Sequence, residues 1–179
     1  MIKINQFEIR TVELDLNEKD NDRLFGFHRN TEGFKTFEFQ IYVDGIRLEP
    51  SAVVDMECLL DSIHHESTKL GTILFTCGCG HSGCVYIDDA VNVSHHDGLI
   101  TWHYPHPLVT KNRSPNHPFG ESVNFAFERS EMEQQCKNAI QFIRDASSND
   151  FRKCRIPVLD KPISKLLSQS RFKWVRRMQ

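Results

Sequence analysis

The sequence has little of what marks an enzyme or a membrane protein on inspection. No apolar run approaches the length of a membrane span. The first seven residues hold neither an apolar core segment nor a small-residue cleavage site, so a secretory leader is not expected. There is no phosphate-cradling glycine loop, nucleophile elbow, paired-carboxylate motif or zinc-protease helix. An excess of charge of one sign is missing too. The 22 Lys and Arg against 24 Asp and Glu leave a formal charge of -2, which argues against a nucleic-acid reader driven by bulk charge, though not against a local basic patch. Internal repeats and low-complexity tracts are absent.

What is present suits a globular chain. The 179 residues fit one domain, expected over 1–179 with a C-terminal helical segment at about 155–179. The 13 phenylalanines predict an aromatic core. Without a leader or a span, the expected location is cytoplasmic, where cysteines stay reduced.

The periodicity predicts an α+β fold. Residues 7–11 and 12–16 both alternate apolar and polar, but one place out of phase, which predicts a β-bulge near Thr11. Phe37, Phe39, Ile41 and Val43 line one face of a strand, and Asp44-Gly45 turns it into a hairpin. A helix is expected over 52–65, with Val53, Met56, Leu59, Leu60 and Ile63 inward. Residues 90–96 and 99–104 flank Asp97-Gly98, a second hairpin of the same chemistry. Residues 105–118 are proline-rich and loop-like, and 123–127 form another strand. Ser130 and Glu133 have the spacing of a capping box ahead of a helix to about Ala146, with Met132, Cys136, Ile140 and Ile143 inward. The expected architecture is an antiparallel sheet built from hairpins, with two or three helices packed on one face.

One stretch carries candidate chemistry. Cys77, Cys79 and Cys84 place three of the six cysteines in eight residues, with Gly78, Gly80, His81 and Gly83 between them. Zinc takes about four thiolate or imidazole ligands in a tetrahedron. The three sulfurs with His81 make a candidate metal set. A remote fourth ligand (His95, His96, His103 or Cys154) is an alternative, and copper(I) would also suit soft thiolates. The spacing has one residue between the first two cysteines, where zinc knuckles commonly have two. The competing reading is a tight glycine turn between strands, with small reduced thiols packed inside. Cys58 and Cys136 fall on helices and read as core.

The histidines do not converge in sequence. His64 and His65 fall at a helix end, where a cationic imidazole suits the dipole. A two-residue turn at Asp97-Gly98 would pair His96 with Leu99, His95 with Ile100 and His103 with Asn92, which gathers no cluster. Asp88 and Asp89 are adjacent and point to opposite faces if extended, a poor acid–base pair. The basic, aromatic residues 171–177 read as a terminal helix with solvated charges rather than an RNA contact.

The run Cys77, Cys79, Gly80, Gly83 and Cys84 after a strand, with Trp102 on a later one, resembles small uncharacterised bacterial proteins over about residues 37–145. In general character the chain also resembles bacterial immunity proteins, the cytosolic partners that neutralise toxins. That resemblance implies a non-catalytic protein binder. The lack of a convergent catalytic set points the same way, and the acidic residues of 13–22 would suit a basic partner. A metal-dependent, hydrolase-like enzyme built from the cysteine stretch and nearby histidines is the alternative.

Overall fold

The computed structural model describes residues 2–14, 35–50, 52–76, 87, 89–105, 123–146 and 154–155. Within them the chain is α+β, with antiparallel strands in three sheets and two helices. The first sheet joins β1 (Phe7–Leu14), β2 (Lys35–Val43) and β3 (Ile46–Arg47). The second is β4 (Val53–Val54) with β5 (Phe75–Thr76), and the third is β6 (Asn92–His96), β7 (Leu99–Tyr104) and β8 (Val123–Glu128). The helices are α1 (Met56–His64) and α2 (Arg129–Ala146). A last short strand, β9 (Cys154–Arg155), pairs parallel with the start of β2. The helical segment expected at about 155–179 lies, from 156 on, outside the described residues.

Both Asp-Gly hairpins form. Asp44 and Gly45 have φ of 49 and 80°, Asp97 and Gly98 of 47 and 81°, the double positive φ of a two-residue turn that matches strand twist. The second hairpin has the expected register, His96↔Leu99, His95↔Ile100 and Asn92↔His103.

Three expectations need correction. The bulge near Thr11 does not form, because β1 pairs with β2 one for one from Phe7↔Val43 to Leu14↔Thr36. Thr11 keeps a place on the core-facing side after Phe7 and Ile9, while Val12 stays half-exposed on the other face. The apolar residue is tolerated outside, so the strand has no need to change phase. The first helix starts at Met56, not at 52. β-Branched Val53 and Val54 pair with Thr76 and Phe75 instead, and the Asp55 side chain caps the helix by accepting from Cys58 N at 3.0 Å. The second helix starts at Arg129, whose N–H reaches Gly98 O at 2.9 Å, so Ser130 lies inside the first turn rather than at the cap.

The core is aromatic. Phe7 of β1 meets Trp102 of β7 and Phe127 of β8 edge to face, with ring centroids 5.8 and 5.2 Å apart, and Trp102 and Phe127 lie 5.0 Å apart. Phe37, Phe39, Ile41 and Val43 are fully buried beside them, as are Met132, Cys136 and Ile143 of α2. The apolar faces of the first and third sheets thus share one buried cluster with both helices. Their opposite faces carry polar side chains, and there a site can lie.

Candidate functional site

The proposed ligands Cys77, Cys79, His81 and Cys84 lie outside the described residues. The last described residue before them is Thr76 of β5, which is buried. Among the described residues no group of three or more His, Cys, Asp or Glu side chains comes together as a metal site would require. The Cys58 and Cys136 thiols are poor nucleophiles. Burial, with Asp55 beside it, pushes the Cys58 thiol up to about 12, and burial raises that of Cys136 further.

A concave site does occur on the outer face of the third sheet. It is a groove of about 540 Å³, within the range of ligand pockets. Strand alternation and register build its floor. Asn92, His103 and Asn124 stand in one row across β6, β7 and β8, and Ser94, Thr101 and Ala126 in the next. His103 Nδ1 lies 2.8 Å from Asn124 Oδ1. An amide oxygen only accepts, so Nδ1 is the donor in this contact. With the ring neutral, the row presents a lone pair on His103 Nε2 and an amide N–H on Asn124.

The chain's N-terminal segment makes the wall. Asn5, itself buried, donates its N–H to Ala126 O at 2.7 Å and accepts from Ala126 N at 3.1 Å through its side chain, which covers the free edge of β8. Asp44 of the first turn holds the segment in place. Its carboxylate accepts from Lys3 Nζ, Asn5 Nδ2 and Gln6 N, each at 2.8 Å. The Lys3 bond is the main cause of a lowered Asp44 pKa, and those from Asn5 and Gln6 add to it. Lys3 and Ile2 reach the groove from this wall, and Ile2 is 63% exposed. Among the described residues no carboxylate lines the groove, and the one ammonium that does, Lys3, is matched by Asp44.

The outer face of the first sheet is also polar but tied to itself. Arg10 forks onto Glu8 and stacks over Tyr42 at 3.8 Å, and Arg47 pairs with Glu38 at 2.7 Å.

Two buried polar contacts lie elsewhere. Tyr104 donates to Glu49 at 2.7 Å, with both residues buried. Burial, reinforced by the Glu49 charge, holds Tyr104 well above its usual pKa, so it stays a donor. Glu49 sits at φ 43°, a left-handed conformation uncommon outside glycine, and its carbonyl accepts from Ala52 N. His95 lies between the two helices and contacts Ser62 and Arg129.

The histidines proposed as neighbours separate. His95 is on the core-facing side of the third sheet. His103 is on the outer face, and His96 is exposed beside Asp97 at 3.0 Å. His64 does end α1, yet burial lowers its pKa, so the expected dipole-stabilised cation is not favoured there. The groove residues Asn92 and Asn124, and Asn5 that anchors the wall, were not anticipated as functional. Only the hairpin partners were legible, whereas Asn124 joins the row through the β7–β8 pairing across the intervening loop.

In comparisons with known proteins the chain matches no protein family, no curated protein and no solved structure. Among the described residues no helix is long and apolar enough to cross a membrane.

Proposed function

We propose that this chain is a non-catalytic cytoplasmic binding protein that seats part of a protein partner in the groove on the outer face of β6–β7–β8. The observation that carries the reading is the lining itself. Uncharged donors and acceptors (Asn92, Ser94, Thr101, His103, Asn124) line the groove together with an exposed apolar side chain, Ile2, and with Lys3, and among the described residues no carboxylate lines it to act as acid or base. Interface centres are depleted in charge in the same way, and directional hydrogen bonds around an apolar anchor fix register. A general base needs a partner that holds its proton economy, and His103 is held only by an amide.

The most concrete form of the proposal is an immunity protein that masks a toxin. The acidic residues of 13–22 would speed encounter with a cationic partner, and the groove would fix the docked pose. In the same reading the cysteine stretch holds a structural zinc through Cys77, Cys79, Cys84 and His81, and the helices cover one face of the antiparallel scaffold. Growth rescue tests it. Co-expression with a cationic toxin, the partner this reading requires, should restore growth, and Asn124→Ala with His103→Ala should abolish rescue without loss of folded protein. Full rescue by the double variant would reject the groove as the docking site.

A further inference from the structure

The imidazole of His95 is held on both sides by groups that each allow one protonation state. Its Nε2 lies 2.9 Å from Ser62 O, a carbonyl that only accepts, so Nε2 carries a proton. Its Nδ1 lies 2.9 Å from an Arg129 guanidinium nitrogen, which only donates, so Nδ1 is bare. Both contacts are made together only by neutral His95. They join three elements: the C-terminal turn of α1 through Ser62, β6 through His95, and the first residue of α2 through Arg129. Glu66, just past α1, completes the clasp by accepting from His95 N at 2.9 Å.

The surroundings do not favour added positive charge. Arg129 stands at the N-terminus of α2, the positive end of the helix dipole, and no ion pair to it occurs among the described residues. His64 at the α1 end lies near enough to feel His65, His95 and Arg129 electrostatically, and Glu133 of α2 is the acid that opposes them there. Glu66 faces the backbone N–H of His95. The neighbouring His96 is turned to the other face, beside Asp97.

We propose that this junction is an acid-sensitive latch: neutral His95 ties α1 and α2 to β6, and a proton on Nδ1 releases them. Protonation replaces the acceptor facing Arg129 with a second N–H, so a hydrogen bond becomes a contact between two cations. The end of α1 and the segment that follows it, which covers the edge of β6 through Ser67 N to Val93 O, open first. The inner strands β7 and β8 stay closed, since their register does not pass through the junction.

Hydrogen exchange on the full chain tests this at about pH 7.5 and about pH 5.5, corrected for the intrinsic rate, a span that brackets imidazole titration. Protection at His65, Ser67 and His95 should fall by about tenfold or more at the lower pH, with Trp102 and Phe125 unchanged. His95→Gln offers an amide donor and acceptor that do not titrate, and should abolish the pH response. Arg129→Gln, which removes the opposing cation, should weaken it and serves if the first variant does not fold. A pH-independent wild type would overturn the latch. So would an unchanged response in His95→Gln, or in Arg129→Gln where that variant stands in. A nitrogen spectrum of His95 showing protonated Nδ1 and bare Nε2 at neutral pH would overturn it as well.

Discussion

Among the described glycines, replacing Gly71 by alanine should be the most damaging substitution, and the structure separates its two causes. Gly71 has φ +75°, which costs a residue with a β-carbon about 1–2 kcal/mol. A β-carbon there would also lie 2.6 Å from Ala90 Cβ and 3.2 Å from Val91 O. Neither neighbour is free to yield. Thr72 and Val91 exchange both backbone hydrogen bonds, at 2.8 and 3.0 Å, and Gly71 N is held by Thr68 O at 2.9 Å. Forcing a methyl group into a fixed contact of this kind costs about 1–3 kcal/mol more. Gly45 is the internal control, since it has φ +80° but open space around it. Urea denaturation should therefore show Gly45→Ala losing about 1–2 kcal/mol and Gly71→Ala about 2–5 kcal/mol. Adding Ala90→Gly to Gly71→Ala removes the atom it strikes and should recover most of the difference. Equal losses in the two single variants, or no recovery in the double, would refute the claim that the 71–91 crossing is rigid.

Three further outcomes follow from charge and metal chemistry. Tyr104→Phe removes a buried hydrogen bond to Glu49 and should cost about 1–3 kcal/mol. Because the folded-state pKa of Tyr104 is raised, its contribution is complete below about pH 10 and is lost as pH rises toward the folded value. The variant should accordingly show a flatter alkaline limb in thermal melts. Asp44 has the opposite sign: its lowered pKa gives stability present above about pH 4 and lost as pH falls through the folded value. Asp44→Asn, which tolerates the positive φ, should show less acid loss, and an unchanged acid limb would reject the Lys3–Asn5–Gln6 clamp. If the cysteine stretch holds zinc, elemental analysis should return one equivalent per chain, and Cys79→Ser and a chelator should lower the melting temperature alike. No metal and no chelator effect would leave the glycine-turn reading.

The fold was legible wherever local chemistry decides it. The two Asp-Gly turns, the four inward residues of β2 and the stripe of α2 follow from turn geometry and period alone. Errors arose where a partner overrides local pattern. Val53 and Val54 have helical spacing with Met56, but β5 offers them a strand partner. The phase change at Val12 suggested a bulge, yet β2 holds β1 in uniform register beyond the core. The groove was out of reach for a related reason. Asn5, Asn124 and His103 are far apart in sequence; the β7–β8 pairing joins His103 to Asn124, and the cover of β8 by the N-terminal segment adds the wall. The cysteine stretch, the strongest sequence signal, falls outside the described residues, while the polar contacts within them had no motif to announce them.

The central proposal, that the groove on β6–β7–β8 binds a protein partner, is tested most directly by amide chemical-shift mapping of the labelled chain against a purified cationic toxin, the class of partner proposed above. The account predicts perturbations centred on Asn92, Ser94, Thr101, His103 and Asn124, extending to Ile2 and Lys3, and lost in the His103→Ala, Asn124→Ala variant. Perturbations confined to the outer face of β1–β2–β3, or no binding at all, would contradict it.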